Sequence, residues 1–388
     1  MRDYKGIRVL VADGYGRQIP SILKQLHDLG CIITTINCSK LDVGYTSRYP
    51  HRRVVVNGIR EDVKLYEKAI RRELRHMRYD VVFPMLEPST EILHKLKRLG
   101  RLGDTKLIAA PYEAFSMAYN KQLTMETCMD NGIPCPVTKR DSESLEEFLS
   151  KVSFPLAAKP RKGSGGAGFK KIRDRAELDR YISEGTIIPE EYVIQEYIEQ
   201  DQFMCNCYVM MDDSHKPVYS VAIRTYRWFP VDGGPGCFGR TITQPLVTEN
   251  AVRLFEALKW SGFGQVSFMM DSRDGIPKVT EINGRISAGI KIVDYAGCTP
   301  VKYMLDRAYG KHLTPVRKEI KEGLGLRYFH TDILWLLKSP NRFRAKPSWF
   351  DFRHTKDYIF SWSDPIPFFS YGIEHILTFK KDMKRRKH

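Results

Sequence analysis

The sequence predicts a chain of mixed class, α/β followed by α+β: a doubly wound parallel sheet, then a strand-rich antiparallel unit, then a C-terminal accessory segment. Three observations predict it. Short apolar runs alternate with amphipathic helical stretches over the first 110 residues, paired strands dominate from about residue 135 to 300, and from 325 aromatic residues interleave with basic residues and prolines.

The elements follow in order. "IRVLVAD" (7–13) has the pattern of a buried strand, and after "GYG" the stretch "RQIPSILKQLHDLG" is apolar at helical spacing and stopped by Gly30. "CIITTINC", "RRVVVNG", "YDVVFPM" and "TKLIAAP" read as four further strands, with "DVKLYEKAIRRELRHMR" and "STEILHKLKRLG" as helices between them. Gly14-Tyr15-Gly16 lacks the third glycine of a dinucleotide fingerprint and reads as a tight strand-to-helix turn. These elements define a unit over 1–110. From Pro111, "AFSMAYNKQLTMETCMDNGIPCPVT" predicts a helix ended by Asn131-Gly132 and two prolines. "FPLAAKP" and "FKKI" are strands flanking a glycine loop, "DRAELDRYISEG" is a helix capped by Asp174, and "EYVIQEYI" is a strand, giving a subdomain over about 135–198. "QFMCNCYVMMD" and "KPVYSVAIRTY" read as a hairpin, Glu249–Trp260 as a helix and "QVSFMMDSRDGIPKVTEING" as a last hairpin, a sheet over about 199–300 within a domain of 111–324.

With 388 residues, 42% of them hydrophobic and 28% charged, the chain has the composition of a globular protein with real cores, which excludes disordered and collagen-like classes. No run approaches the roughly 20 apolar residues of a membrane-spanning helix, and the first residues lack the apolar stretch of a signal peptide, so a cytoplasmic chain is expected. Its eight cysteines form no C-x-x-C pair and read as free thiols. A net charge of +16 predicts something acidic nearby. The sequence shows no recognition helix, RNP motif or zinc finger, so nucleic acid is not the expected partner.

Residues 157–172 read "AAKPRKGSGGAGFKKI", a loop of glycines fenced by lysines, which suits a polyanion approached by backbone N–H groups. "GSGGAG" fits G-x-G-x-x-G, but a Rossmann fingerprint opens a helix and "FKKI" reads as a strand. Phe169 stands where Walker A needs lysine, and the kinase motifs H-R-D and D-F-G are absent. A flap over ATP in another architecture remains. The order of Lys121, "AAKP" with Lys159, the glycine flap, "VIQEYI" and "EINGR" resembles the ATP-grasp superfamily, in particular its carboxylate–amine ligases and carbamoyl-phosphate-synthase-like members. The resemblance covers about 111–300, and residues 1–110 resemble the pre-ATP-grasp domain that precedes this fold. It implies ATP bound with Mg²⁺ or Mn²⁺ between two subdomains.

Lys159 follows Phe154, Leu156, Ala157 and Ala158, and a lysine on a buried strand needs an anionic partner. By resemblance, Lys159 and Lys121 reach the phosphates, and Gly163, Ser164, Gly165, Gly166 and Gly168 form the flap. Gln195, Glu196, Tyr197 and Ile198 lie along adenine, with Glu196 accepting from its amino group and Gln202 near the ribose where relatives carry a glutamate. A plain half-buried strand fits "VIQEYI" equally well. Glu281 and Asn283, two apart, share one strand face and offer the oxygen ligands that Mg²⁺ requires. Arg285 shares that face if the strand continues and can stabilise charge on a transferred phosphoryl group. Ser267 stands where many relatives carry a metal-binding acid or glutamine, a weaker ligand that leaves a second metal site reduced, water-mediated or supplied elsewhere. Asp271 reads as a turn cap. In Ile223–Ile242, Arg224, Arg227 and Arg240 with four glycines suit a mobile segment that binds an acidic substrate or acylphosphate; a long hairpin with exposed arginines fits as well.

The resemblance implies a ligase that activates a small carboxylate as an acylphosphate and joins it to an amine, with a homodimer as a further expectation. A carbamoyl-phosphate-type phosphoryl transferase and an ATP-binding protein with reduced or no turnover are the alternatives. Residues 325–388 read as a helical accessory segment whose tryptophans pack on the core. Its last nine residues hold six Lys or Arg against one Asp, which suits either a solvated tail or peripheral contact with anionic membrane at the inner face.

Overall fold

The computed structural model describes the backbone of residues 3–163, 166, 168–231 and 234–386, and side chains there apart from 200–202 and 378–386. The first unit runs β1 (Arg8–Val11), α1 (Ile19–Asp28), β2 (Ile32–Asn37), α2 (Val43–Thr46), β3 (Arg52–Val55), α3 (Val63–His76), β4 (Val81–Phe83), α4 (Glu87–Arg98) and β5 (Lys106–Leu107). Its strands pair in parallel in the order β3-β2-β1-β4-β5. Side-chain alternation along β1 explains the double winding: Val9 and Val11 pack with Ile22 and Leu23 of α1, while Leu10 packs with Ile70 of α3 and Leu93 of α4. Asp62 starts α3 by accepting from the backbone N–H groups of Lys64 and Leu65.

Where the sequence predicts one helix after Pro111, there are two, α5 (Tyr112–Tyr119) and α6 (Lys121–Asp130). Asn120 between them is extended at φ −98° and caps α6 by accepting from Gln122 N–H, which puts Lys121 at the first helical position. The small subdomain follows as α7 (Leu145–Leu149), β6 (Leu156–Pro160), β7 (Lys170–Ile172), α8 (Arg175–Ser183) and β8 (Tyr192–Glu196), an antiparallel sheet ordered β7-β6-β8. It has its own core of Phe148, Leu156, Ile172, Leu178 and Ile194.

The large sheet and its helices are β9 (Gln200–Met211), β10 (Pro217–Trp228), β11 (Gly236–Thr241), α9 (Pro245–Ala257), β12 (Gly262–Asp271), β13 (Pro277–Asn283), α10 (Ile290–Tyr295), α11 (Pro300–Ala308), β14 (Gly325–Arg327), α12 (Phe329–Lys338), β15 (Thr355–Asp357) and α13 (Ile366–Arg386). Strand order is β13-β12-β9-β10-β11-β14-β15. One face of β9, through Cys205, Cys207 and Val209, packs on Leu254 and Phe255 of α9; on the other, Tyr208 and Met210 share a core with Val9 and Phe83 of the first unit.

Two expectations are corrected here. Most of Ile223–Ile242 is not a mobile loop but the paired strands β10 and β11, because its apolar positions Ile223, Cys237 and Phe238 are buried in the sheet. The C-terminal segment is not only helical: β14 pairs with β11, and β15 pairs in parallel with β14, so it widens the sheet. Trp335 and Trp349 are buried as expected, but Trp362 is 90% exposed. The segment also returns to the first unit, where Asp364 accepts from Ser47 Oγ at 2.5 Å and Glu374 pairs with Arg60 at 2.8 Å. The eight cysteines are free. No helix among the described residues is long and apolar enough to cross a membrane.

Candidate active site

Lys159 leaves β6 on the face opposite the small core and donates from Nζ to the Thr280 carbonyl of β13 at 2.8 Å, joining the small sheet to the large one. Burial pulls its pKa down from the usual lysine range to about 8, and the Glu281 carboxylate opposes that pull. Lys121 donates from Nζ to the Gly163 carbonyl at 2.6 Å, at the start of the glycine loop. Its pKa is also lowered by burial, against Glu281 and Glu87. Two desolvated ammonium groups and one carboxylate therefore converge. Among the described residues, the Glu281 side chain accepts no hydrogen bond and makes no ion pair.

Cross-strand register sets the rest. Ser267 lies opposite Glu281, and Gln265 opposite Asn283. Ser267 Oγ donates to Asn206 Oδ1 at 2.9 Å, and Gln265 Nε2 donates to the same oxygen at 2.7 Å and to Ser267 Oγ at 3.1 Å. The structure thus adds Asn206 and Gln265, which the sequence reading missed; Asn206, a lone amide in "MCNCYVMM", was the available signal. Arg285, just beyond β13, donates to Glu87 Oε1 at 2.8 Å and to Asn283 Oδ1 at 3.3 Å. Glu87, in the first turn of α4, was also missed.

The donor set near Glu281 is carboxylate, amide oxygen and hydroxyl, all hard oxygens of the kind Mg²⁺ takes. Among the described residues no three His, Cys, Asp or Glu side chains cluster as a self-sufficient metal site. The set fits an ion shared with phosphate oxygens.

At the base of the small subdomain, Glu196 is already engaged. Its Oε1 accepts from Val137 N–H at 3.0 Å, and its Oε2 pairs with Arg273 at 2.7 Å. Lys278 approaches at 3.4 Å and also pairs with Asp271 at 2.5 Å. Asp271 accepts from Arg273 N–H as a turn cap, and its neighbouring cations hold its carboxyl well below the usual range. Gln195 Oε1 is buried without a hydrogen-bond partner. Ile198 is buried, and Lys171 lies 3.9 Å from the Tyr197 ring centre. Gly166 and Gly168 sit at φ +74° and +75° in the flap, a left-handed backbone that suits glycine. Ser164, Gly165 and Gly233 lie outside the described residues, as does the side chain of Gln202.

The three arginines of 223–242 part company. Arg224 and Arg240 are cross-strand neighbours, Arg224 lying over the Phe203 ring at 4.2 Å and Arg240 pairing with Asp351 at 2.9 Å. Arg227 is fully buried against Asp332 at 2.7 Å, so the expectation that it faces an acidic substrate is overturned by this core ion pair.

In this geometry Lys121 and Lys159 converge beside the glycine loop between a small sheet and a large one, facing the oxygen-bearing side chains of β13. Residues 118–289 match the family model described as an ATP-grasp domain. It is similar to the D-alanine–D-alanine ligase of Clostridium beijerinckii, 21% identical over 265 residues that span 59% of this chain and 86% of that one. In fold it resembles a biotin carboxylase from Campylobacter jejuni (TM-score 0.67, 15% identity, covering 82% of this chain and 74% of that one). It also resembles an L-amino acid ligase from Bacillus licheniformis (TM-score 0.62, 19% identity, covering 83% and 79%).

Proposed function

We propose that this ATP-grasp enzyme is a ligase that activates a small carboxylate with ATP and joins it to an amine. The observation that carries the reading is the convergence of Lys121, Lys159 and the unpartnered Glu281 between the flap and β13. Lys159 and Lys121 bind the phosphates, and the flap from Gly163 to Gly168 shields them from water. Glu281 and Asn283, with Ser267 beside them, would hold Mg²⁺, which neutralises phosphate charge when bound. Arg285, fixed by Glu87, faces the transferred phosphoryl group, with Arg224 and Arg240 further along the sheet toward an acidic substrate. Since Glu196 is engaged by Arg273, the adenine edge falls to the backbone of Tyr197 and Ile198, with Gln195 alongside.

A substrate carboxylate oxygen attacks the γ-phosphorus and the bond to ADP breaks. The amine then attacks the acyl carbon, phosphate leaves, and the nitrogen gives up a proton. Positioning and charge do this work, and no serine or cysteine nucleophile is required. The units 1–110, 111–324 and 325–388 are the domains of this reading. A cytoplasmic location, a homodimer and peripheral contact of the C-terminus with anionic membrane are its finer parts.

The test is ADP release from Mg-ATP in the presence of pooled amino acids and small carboxylates, with hydroxylamine to trap acylphosphates. Substrate-dependent ADP with a trapped hydroxamate supports the reading and names the acid. ATP binding without ADP release from any pool overturns it.

A further inference from the structure

The segment that widens the large sheet also carries most of the large hydrophobic side chains exposed among the described residues. Among the described residues eighteen large hydrophobic side chains are exposed, and ten of them fall between Leu337 and Leu377. On α13 they are ordered. Ile366, Phe369, Ile373, Ile376 and Leu377 recur at helical spacing as one stripe, while Pro367, Ser370 and Glu374 turn toward the protein. Trp362 stands exposed just ahead of the helix.

Charge is sorted between partly or fully buried and exposed positions as well. The acids in this stretch are Asp351, Asp357, Asp364 and Glu374, and each is held by the protein. Asp351 pairs with Arg240, Asp357 accepts from the N–H groups of Phe329, Ile359 and Phe360, Asp364 accepts from Ser47, and Glu374 pairs with Arg60. Lys338, Arg342, Arg344, Lys346 and Lys356 are exposed, as is Arg353, which also pairs with Asp351 at 3.1 Å. A second copy would bring its own excess of positive charge to such a contact, whereas a layer of anionic headgroups attracts it and accepts tryptophan and aliphatic side chains at its boundary.

We infer that the outer face of α13, with Trp362 ahead of it, seats on an anionic lipid surface, the apolar stripe entering the acyl boundary and the basic residues meeting the headgroups. This rests on the membrane part of the reading above and is independent of the ligation chemistry. The test uses the full chain in co-sedimentation with phosphatidylcholine vesicles, with and without phosphatidylglycerol. The parent is expected to bind only the anionic vesicles, and more weakly as salt rises. The double variant Ile373→Glu, Ile376→Glu should lower vesicle affinity by about tenfold or more, with melting and ATP binding unchanged because both side chains are exposed. Equal partition of parent and variant, or no binding by the parent, overturns the proposal. A parent dimer that the double variant splits, without vesicle binding by either, also overturns it and assigns the stripe to self-association. Loss of ADP release with vesicle binding intact counts against the ligase reading alone.

Discussion

Arg285 donates from Nε to Oε1 of Glu87 at 2.8 Å, a bond from the end of the last hairpin to the first turn of α4 in the parallel unit. The guanidinium is therefore aimed by a residue almost two hundred positions away in sequence. Glu87→Gln should leave ATP affinity within about twofold and lower kcat by roughly 10- to 100-fold, the scale of a misplaced catalytic group. A variant that loses ATP binding and turnover in parallel would assign Glu87 to folding instead, and calorimetric titration beside steady-state kinetics separates the two.

Lys159 is held with its pKa near 8 by burial, so its charge is sensitive to mild alkali. In the proposed role the protonated form binds phosphate, so as pH rises through about 8 and the nucleotide-free protein loses that proton, ATP affinity should fall and binding become coupled to proton uptake. Lys159→Ala should weaken ATP binding by roughly 10- to 100-fold, the scale of a charged hydrogen bond, and flatten this pH dependence. Titrations in buffers of different ionisation enthalpy measure both.

Ser267 faces Glu281 across the hairpin. Ser267→Glu places a second carboxylate beside the first, so without divalent ions like charges should lower the melting temperature by about 2–4 °C. With ATP present, the concentration of Mg²⁺ needed for half-maximal ADP release should fall. An unchanged Mg²⁺ requirement would remove Ser267 from the ion's surroundings.

Asp332 is the buried partner of Arg227 and also lies 3.3 Å from Arg327. Asp332→Ala leaves these guanidiniums desolvated and unpaired and should cost about 3–5 kcal/mol of stability, read by denaturant titration. ATP affinity of the fraction that remains folded should be unchanged, since the pair lies among the C-terminal strands and helices.

The parallel sheet is legible in the sequence because each strand is an apolar run between clear helical stretches, and buried strands need no finer pattern. The break at Asn120 is not, since neighbouring residues suit one continuous helix and only the Asn120 side chain, bonding to Gln122 N–H, reveals the cap. Lys159, Glu281 and Asn283 could be picked out because each is a charged or polar group on a predictable strand face, while Lys121 came only from the resemblance. Glu87, Asn206 and Asp332 could not, because their partners come from distant strands and helices. Arg227 misled for the same reason: an arginine among glycines reads as solvent-facing until Asp332, 105 residues later, is known to meet it.

β14 and β15 extend the large sheet, and the chain after them is fastened back to the first unit at Ser47 and Arg60. Those two units share one core, while the three-stranded sheet keeps a separate one. Closure over a nucleotide, as proposed, would restrain one small body against a braced frame and confine the lost conformational entropy to that body. If ATP binds there as proposed, its affinity should be tunable from the connections into the small sheet without altering Lys121 or Lys159.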